Sequence, residues 1–383
     1  MALHFEISEF DQRKAAVVGK LNARGLDGLL MFQQESMFYL TGYDTFGFCF
    51  FQCLYLGADG TLALLTRAPD YLQAKNTSLL EDIRIWKDEG GAQPANQLRE
   101  MLDDLGCQGK KLGIEYDSYG LTTKNGKAVD AAMDGFAELQ DASGLVDAIR
   151  VVKSQAELAY VRKAGALADE ALDAGLKLTR AGADEGDILA AMQGAVFAGG
   201  GDYPANEFII GSGSDALLCR YKSGRRKLDA SDQLTLEWAG SYRHYHAAMM
   251  RTVIIGSPSP QHEKMLAACC DALSAVEGAL KPGNTAGDVF DAHAAAMDSH
   301  GMRDCRMNAC GYSLGAKFTP SWMDWPMFYT ANDAELGAGM VFFTHMILMD
   351  ADSGNAMCPG RTYIIGDAGP ECISALPVEM ICR

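Results

Sequence analysis

Side chains that could transfer protons are concentrated between residues 237 and 246. Imidazole is the only side-chain group whose ordinary pKa lies near neutrality, so His246 is predicted to act as a general base or acid. Because side chains alternate along a strand, we expect His244 on the same face as His246 and Arg243 on the other. Glu237 would orient His246 or stabilise a developing positive charge. This segment therefore predicts acid–base chemistry.

Two other interpretations of these histidines stay open. Two imidazoles two residues apart on one face of a strand could bind a single transition-metal ion, with His345 as the third ligand. Alternatively, each histidine could be a core imidazole that only forms a hydrogen bond with a neighbour.

Charge and composition exclude several classes of partner. The formal net charge of -17 repels a nucleic-acid backbone or an anionic membrane, and the chain has no long Lys/Arg run. No uncharged apolar stretch reaches the roughly 18 residues that a membrane-spanning helix needs. Neither a phosphate-binding loop nor a nucleophile-elbow motif occurs, and no cofactor is expected. We therefore expect neither a nucleic acid nor a membrane as partner.

The cysteines and the N-terminus predict a compartment. Eleven cysteines without a CxxC pair are typical of reduced, mostly buried thiols. The first residues lack the basic and apolar regions of a signal peptide. Together these features predict a cytoplasmic protein.

Two regions of different pattern must position the candidate residues. Residues 1–150 alternate short apolar runs with helical patterns, which predicts a mixed α/β domain. A boundary follows near 147–154, where Ser154 and Glu157 form a capping-box sequence that should start a long helix. The first region has predicted helices at 9–24, 92–105 and 122–135 and strands at 26–32, 37–43, 48–57, 61–67 and 111–117. The second has predicted helices at 155–178, 185–197, 260–280 and 286–300 and strands at 206–211, 232–240, 244–256, 309–315, 340–350, 361–366 and 374–382.

Several blocks of sequence occur in an order that is shared with a known family. They are TGY (41–43), IIGSGSDALLCRY (209–221), DQLTLEWAGSYRHYHAAMMRT (232–252), GYSLG (311–315), GMVFFTH (339–345) and GRTYIIGDAGPE (360–371). In these blocks the chain resembles the creatinase and aminopeptidase P (pita-bread) family, which includes Xaa-Pro peptidases, creatinase and ectoine hydrolase. The resemblance implies an α/β (α+β) protein with an N-terminal creatinase-like domain at 1–150. A C-terminal pita-bread domain at 151–383 would contain a curved antiparallel sheet covered by helices.

The resemblance also implies that the family's metal site has been lost. Peptidases of this family bind two metal ions through two Asp, one His and two Glu. The residues at these five positions are Glu237, Ala248, Tyr312, His345 and one of Gly360, Arg361 and Thr362. Two hard cations need several oxygen ligands, which an alanine and an arginine or threonine do not supply. No bound metal is therefore predicted.

Metal-independent members such as creatinase hydrolyse a C–N bond with imidazole and carboxylate groups, and similar chemistry is implied here. The predicted catalytic residues are His246, His345, Glu237 and Tyr312, with the Tyr312 phenol assisting an oxyanion or a leaving nitrogen. A core position is the alternative for Tyr312.

Arginine is predicted to bind a substrate carboxylate. Arg220 stands where several family members contact substrate with His, and Arg243 is the second candidate. An ion pair at the surface is the alternative for Arg220. His244, Ser313 and Trp322 are further predicted substrate contacts.

Creatinase-like dimers place part of the N-terminal domain in the partner's active site. The resemblance implies a homodimer in which Tyr43, Asp44, Phe46 and Phe48 complete the neighbouring pocket. An ordinary place in the sheet core is the alternative for the aromatic residues.

The function predicted from these features is metal-independent hydrolysis of a C–N bond in a small polar nitrogen compound, such as an amidine, amide or compatible solute. Two alternatives stay open. One is an Xaa-Pro-type peptidase with a rebuilt mononuclear metal site. The other is a family member that binds a metabolite without turnover.

Overall fold

The computed structural model describes residues 3–220 and 226–383. The chain divides into two compact units, Met1–Arg150 and Val151–Arg383, and each is described by itself. Within the described ranges, no helix combines the length and hydropathy that crossing a bilayer requires.

The described residues of the first unit form a six-stranded mixed sheet with helices on both faces. The strands are β1 (Gly28–Met31), β2 (Cys53–Gly57), β3 (Leu62–Arg67), β4 (Ile83–Trp86), β5 (Lys111–Ile114) and β6 (Glu138–Asp141). The helices are α1 (Ile7–Ala23), α2 (Gln34–Thr41), α3 (Tyr71–Thr77), α4 (Pro94–Asp104), α5 (Thr123–Met133) and α6 (Asp147–Arg150). The strand order is β4-β3-β2-β1-β5-β6.

Side-chain alternation along β1 distributes the core of this unit over both faces of the sheet. Leu30 packs with residues of α4 and α5, whereas Leu29 and Met31 pack with residues of α1 and α2. Because helices cover both faces, β1 is buried at every position. This explains the continuous apolar runs of the first region.

The strand predicted at 37–43 is wrong, because most of this run lies in α2. The helix ends at Thr41, with Gly42 in the left-handed region at φ 77°. All residues of α2 are buried, so its sequence has no amphipathic period that would distinguish a helix from a strand. The strand predicted at 48–57 is shorter and begins at Cys53, after a 3-10 turn at Gly47–Cys49.

The described residues of the second unit form a nine-stranded, mainly antiparallel sheet, a short hairpin and four long helices. The sheet strands are β7 (Ile209–Ser212), β8 (Asp232–Tyr242), β9 (Tyr245–Ile255), β10 (Gly311–Ser313), β11 (Asp324–Met327), β12 (Val341–His345), β15 (Gly360–Gly366), β16 (Gly369–Cys372) and β17 (Ile381–Cys382); the hairpin is β13 (Leu348–Asp350) with β14 (Asn355–Met357). The helices are α7 (Gln155–Leu178), α8 (Glu185–Ala198), α9 (Pro260–Ala279) and α10 (Ala286–Ser299). The main strand order is β11-β10-β12-β15-β9-β8-β7.

Helix α7 begins as the sequence predicts and fixes the strand beside it. The Ser154 hydroxyl accepts from the Glu157 N–H, and the Glu157 carboxylate accepts from the Ser154 N–H. The helix packs closely on β8 at Gly240, where a Cβ would lie 1.9 Å from the Ala164 carbonyl oxygen. Only glycine permits this approach. The backbone that carries Glu237 is therefore held against the helix.

Two predicted strands of the second unit differ from the structure. The run at 340–350 forms two strands, β12 and β13, because the chain leaves the sheet after His345. At 374–382 only Ile381–Cys382 is a strand. The helices predicted at 155–178, 185–197, 260–280 and 286–300 are confirmed within two residues of each end.

Candidate functional site

Backbone pairing aligns four residues in one row across the second sheet. Glu237 in β8 lies opposite Met250 in β9, which lies opposite Gly360 in β15, and Gly360 lies opposite His345 in β12. Directly paired residues project to the same face of a sheet. Glu237 and His345, far apart in the sequence, therefore share one face.

A phenol connects the two ends of this row. Tyr312 in β10 lies opposite Phe343, two residues before His345 and on the same face. The Tyr312 hydroxyl lies 3.3 Å from Glu237 Oε1, to which it donates, and accepts from the Trp322 indole N–H at 2.9 Å. Its ring centre lies 5.8 Å from that of His345. The structure thus brings together four predicted site residues: Glu237, Tyr312, Trp322 and His345.

The Glu237 carboxyl can exchange a proton near neutral pH. Burial raises its pKa to about 7, while the charge of Arg220 and the hydrogen bond from Tyr312 lower it. Glu237 is half-buried, so protein surrounds its carboxyl while part of the residue's surface is exposed. A general acid or base works best when its pKa matches the working pH. Glu237 therefore has the properties that the sequence analysis assigned to His246.

The His345 imidazole is neutral at physiological pH. Burial, together with the neighbouring His293 and Arg220, lowers its pKa to about 3. The ring also packs against Phe343, with centres 5.5 Å apart. A neutral imidazole can donate one hydrogen bond and accept one, which suits a group that stabilises charge in a reaction.

A cation acts on this group from the loop after β7. Arg220 is largely exposed, yet its charge lowers the pKa values of Glu237 and His345. Its position is consistent with the predicted carboxylate contact. The sequence block that includes it ends at Tyr221, which lies outside the described residues.

The prediction that His246 is the general base is not supported by its hydrogen bonds. The ring is fully buried in β9, and Nε2 accepts from the Ala205 N–H at 2.9 Å. Because Nε2 accepts, the proton of the neutral ring is on Nδ1, which lies 3.4 Å from the Gly315 carbonyl oxygen. Burial lowers the pKa of His246 to about 3, with His244 and Lys317 adding to the effect. His246 is thus a core imidazole with both nitrogens engaged.

Replacing His246 by Phe should affect stability more than catalysis. The buried Ala205 N–H would lose its acceptor, which should lower the free energy of unfolding by about 1–3 kcal/mol. The kcat of the folded variant should stay within about tenfold of the native value, well below the effect of removing a general base. Urea denaturation and steady-state kinetics measure the two quantities. A hundredfold loss of kcat at unchanged stability would restore the base role of His246.

The predicted common strand face of His244 and His246 is wrong. Arg243 and His244 form the two-residue turn between β8 and β9, with positive φ angles of 53° and 65°. The His244 ring stacks on Phe318 with centres 4.3 Å apart, and the Arg243 guanidinium lies over the ring of Tyr160. Their described contacts do not involve the Glu237 carboxyl. The substrate contacts predicted for Arg243 and His244 are therefore not supported.

The mononuclear metal site proposed for His244, His246 and His345 is also not supported. His244 lies in the turn, and Nε2 of His246 is already an acceptor. In the parts of the chain that the structure describes, no group of three or more His, Cys, Asp or Glu side chains is placed to hold a metal ion.

The family's two-metal centre does not fit the residues at the fifth ligand position. A Cβ on Gly360 would lie 2.8 Å from two ring carbons of Phe343, so this ring fills the space of a longer side chain. The Thr362 hydroxyl donates to the Ala248 carbonyl oxygen at 2.7 Å. Arg361 is a cation. Glu237 is thus the one carboxylate that the row supplies, which is too few oxygen ligands for two divalent ions.

The substrate contact predicted for Ser313 is not supported, because Ser313 faces away from Tyr312 and Glu237. It follows Tyr312 in β10 and projects to the opposite face, where it has no exposed surface. Its hydroxyl lies 3.5 Å from the Lys153 ammonium group.

The four residues of the first unit that were predicted to complete a partner's pocket differ in how exposed their side chains are. Tyr43 is buried in the core, where burial raises its pKa to about 12, and Phe48 is also buried. Neither side chain is available to a second subunit. Phe46 is 76% exposed and Asp44 is partly exposed, so these two remain candidates for a contact with a partner.

Sequence reasoning missed two residues that act on the site, Phe343 and His293. The Phe343 ring fills the space at the family's fifth ligand position. Strand register places Phe343 opposite Tyr312, which the sequence alone did not indicate. His293 lies on α10 and acts electrostatically on His345. Its position in an ordinary amphipathic helix gave no signal in the sequence.

Comparison with known proteins agrees with this architecture. The sequence profile of the Creatinase/Prolidase N-terminal domain matches residues 13–152, and that of Metallopeptidase family M24 matches residues 159–368. The ectoine hydrolase of Halomonas elongata is 27% identical over 402 residues, covering 100% of this chain and 99% of that protein. The uncharacterised hydrolase/peptidase y4tM of Sinorhizobium fredii is 27% identical over 393 residues, with the same coverage.

A solved structure has the same fold. The Xaa-Pro dipeptidase from Bacillus anthracis superposes with a TM-score of 0.85 at 20% identity, covering 98% of this chain and 100% of that one. The curled antiparallel sheet of the second unit is the pita-bread sheet of these enzymes. The chain therefore belongs to Metallopeptidase family M24 and is a hydrolase of that family with a creatinase-like N-terminal domain and a pita-bread C-terminal domain.

Proposed function

We propose that the chain hydrolyses a C–N bond in a small, carboxylate-bearing nitrogen compound without a metal ion. The observation that carries the proposal is the Glu237 carboxyl, whose pKa of about 7 is set by burial beside Tyr312 and Arg220. It stands in a row whose other members, Met250, Gly360 and His345, cannot replace the carboxylates of a metal centre.

Glu237 is the general base in this mechanism. Its ionised form takes a proton from the water that attacks the substrate carbon, so a C–O bond forms while Glu237 becomes neutral. The same proton then passes to the leaving nitrogen as the C–N bond breaks, which returns Glu237 to the ionised form. Protons balance without any co-reactant.

Tyr312 and His345 stabilise charge around this proton transfer. The Trp322 N–H occupies a lone pair of the Tyr312 oxygen, which leaves the phenolic proton to donate to Glu237. When Glu237 becomes neutral, that proton is available to the oxygen or nitrogen that develops charge. The neutral His345 supplies a second hydrogen bond in the same space.

The absence of suitable metal ligands favours a substrate that needs no Lewis acid. An amidinium carbon already carries positive charge, so it accepts water more readily than the carbon of a neutral peptide bond. A buried carboxyl such as Glu237 also attracts such a cation. The similarity to the Halomonas elongata ectoine hydrolase supports a substrate of this general chemistry.

Replacing Arg220 by Gln should weaken substrate binding. A charge-assisted hydrogen bond between a guanidinium and a carboxylate contributes about 1.5–3 kcal/mol, so KM should rise by roughly 10- to 100-fold. Well above pH 7, kcat should change little, because the contact is to a part of the substrate that does not react. At neutral pH the Gln variant should also lose some kcat, because the charge of Arg220 lowers the pKa of Glu237. Arg220→Lys keeps the charge and should recover part of the loss. An unchanged KM in both variants would remove the carboxylate contact from the proposal.

A homodimer in the cytoplasm is part of the same proposal. Phe46 is exposed and Asp44 lies at the surface, as expected of residues that complete a neighbouring site. All eleven cysteines are free thiols, which suits a reducing compartment. Mixing an inactive Asp44→Ala protein with an inactive Glu237→Gln protein should restore some activity. No recovery in the mixed dimer would contradict shared sites.

A ligand screen with product detection tests the activity itself. Thermal shift should identify small zwitterionic amidines or amides that stabilise the protein, and mass spectrometry should then show addition of one water to the same compounds. Binding without any product would instead identify a metabolite-binding protein.

A further inference from the structure

A chain of hydrogen bonds leads from the loop before β7 to the phenol beside Glu237. The Trp322 indole N–H donates to the Tyr312 oxygen at 2.9 Å, and the Tyr312 hydroxyl donates to Glu237 Oε1 at 3.3 Å. Trp322 is 1% exposed, so its indole is enclosed by protein. The backbone N–H of Trp322 donates to Asn206 Oδ1 at 3.1 Å. Asn206 thus contacts the residue whose indole binds Tyr312.

The loop that carries Asn206 is fixed by contacts on both sides of this residue. The Ala205 N–H donates to His246 Nε2 at 2.9 Å, and the Asn206 amide nitrogen donates to the Glu207 carbonyl oxygen at 3.0 Å. Because the amide nitrogen is engaged there, the amide oxygen is the atom that accepts from Trp322. The rings of His246 and Trp322 also lie side by side, with centres 6.3 Å apart. The buried imidazole of His246 therefore anchors the loop next to Trp322.

The backbone of Trp322 depends on such a contact. Trp322 lies in the loop between β10 and β11, outside both strands, so no strand pairing fixes it. Among the hydrogen bonds of the described residues, the Asn206 side chain is the one acceptor for its backbone N–H. The direction of the indole therefore depends on a side chain from a different loop.

We propose that Asn206 is a positioning residue for Trp322 and, through Trp322, for the Tyr312 hydroxyl. The indole N–H occupies a lone pair of the phenol oxygen and leaves the phenolic proton to donate to Glu237. Hydrogen bonds in such a chain strengthen one another. Loss of the Asn206 contact should therefore weaken the bond from Tyr312 to Glu237. Its effect on catalysis rests on the proposed function, whereas its effect on these hydrogen bonds does not.

Glu237 is the group of this cluster that titrates near neutral pH. The titratable and charged groups that share its face, act on it or respond to its charge are Arg220, Tyr312, His345, Cys219 and Cys358. Burial raises the pKa of the phenol and of both thiols, to about 12 for Cys358, and lowers that of His345 to about 3. A guanidinium stays charged throughout. A transition near pH 7 in this cluster therefore reports Glu237.

Proton–nitrogen-15 NMR of tryptophan-labelled protein tests the chain of hydrogen bonds without substrate. The protein has four tryptophans, and the indole N–H signal of Trp322 is identified by its loss in Trp322→Phe. In the native protein this signal should shift with pH around a midpoint of about 7, because ionisation of Glu237 strengthens the bond from Tyr312. Glu237→Gln should abolish this pH dependence.

Two variants of Asn206 separate its two hydrogen bonds. Asn206→Ala removes the acceptor, so the Trp322 signal should move toward that of a free indole. The midpoint of its titration should rise, because a weaker bond from Tyr312 lowers the pKa of Glu237 less. Asn206→Asp keeps an oxygen acceptor and loses only the amide donor, so it should restore most of the native indole signal at fixed pH.

A substitution elsewhere in the same loop is the control. Tyr203 is 81% exposed, and Tyr203→Leu should leave both the indole signal of Trp322 and its midpoint at their native values. Equal changes in Tyr203→Leu and Asn206→Ala would show a general effect of the loop and overturn the specific role of Asn206.

Kinetics supply the readout that rests on the proposed function. Asn206→Ala should lower kcat at neutral pH by roughly 2- to 10-fold, the effect of weakening one neutral hydrogen bond. The rise of kcat/KM should move to higher pH by the same amount as the midpoint of the indole signal, with little change in KM at high pH. A loss of folded protein alone would lower kcat without moving this rise.

The outcomes distinguish this inference from the proposed function. A native indole signal or a native midpoint in Asn206→Ala would overturn the positioning role of Asn206, whatever the substrate is. A changed signal and a raised midpoint, without any shift of kcat/KM, would support that role and would instead remove Glu237 as the base of the proposed mechanism.

Discussion

Replacing Glu237 by Gln should lower kcat by about 10²- to 10⁴-fold, the range that a positioned general base contributes. Glutamine keeps the size of the side chain and can still accept a hydrogen bond from Tyr312. It cannot take a proton from water. KM should change little, because the substrate contacts of Arg220 remain. Steady-state kinetics on the folded variant measure both quantities.

The pH dependence of the native enzyme should identify the same carboxyl. The base must be ionised, and burial raises the pKa of Glu237 to about 7. kcat/KM should therefore rise with pH through about 7 and level off above it. The residual activity of Glu237→Gln should not show this rise of kcat/KM with pH.

The same substitution should increase stability in alkaline solution. The folded-state pKa of Glu237 lies above its ordinary value of 4.5, so the folded protein binds this proton more tightly than the unfolded chain. The native protein therefore loses stability as pH rises through about 7, where the buried carboxyl ionises. Urea denaturation should show Glu237→Gln to be more stable than the native protein at pH 8 and similar to it at pH 4.

Glu115 provides a matched control in the first unit. It is also a buried carboxyl with a pKa that burial raises, to about 8, and it accepts hydrogen bonds from the Phe32 and Gln33 N–H groups and the Ser36 hydroxyl. Glu115→Gln should alter the free energy of unfolding but leave kcat and the rise of kcat/KM with pH unchanged. Native-like kcat in Glu237→Gln would contradict the base role of Glu237.

Replacing Tyr312 by Phe should be the second large effect, a loss of about 10²- to 10³-fold in kcat. The ring that packs on Phe343 is kept, while the phenolic proton is lost. The hydrogen bond from Tyr312 lowers the pKa of Glu237. Its removal should therefore shift the rise of kcat/KM to higher pH. The pH profile of the variant therefore distinguishes an electronic effect from a loss of folded protein.

Tyr245 is the control for this substitution. Its buried hydroxyl donates to the Glu157 carboxylate at 2.7 Å, a tyrosine–glutamate pair that lies at the start of α7. Tyr245→Phe should lower the free energy of unfolding without shifting the pH at which kcat/KM rises. Equal losses of kcat in Tyr245→Phe and Tyr312→Phe would indicate a structural role for both.

Strand register explains why the sequence placed some site residues correctly. Glu237, Tyr312 and His345 were candidates because each stands at a family ligand position, and paired strands then brought them to one face. The choice of the base depends on hydrogen bonds that no sequence pattern indicates. Nε2 of His246 accepts from the Ala205 N–H of a distant loop, and for this reason we propose Glu237 as the base.

Turn chemistry explains the error at His244. The turn at Arg243 and His244 has two positive φ angles, for which Asn and Gly are the usual residues. The sequence therefore did not indicate a hairpin there. The long helices were easier to predict, because Ser154 and Glu157 mark the start of α7 directly. The buried helix α2 was missed, since its residues are apolar on all sides.

Metal analysis of active protein tests the central claim most directly. Protein purified without added ions and dialysed against a strong chelator should contain no stoichiometric metal and should keep its full kcat on the substrate found by the ligand screen. One or two bound ions per chain, whose removal abolishes turnover and whose return restores it, would contradict hydrolysis by Glu237 and Tyr312 alone.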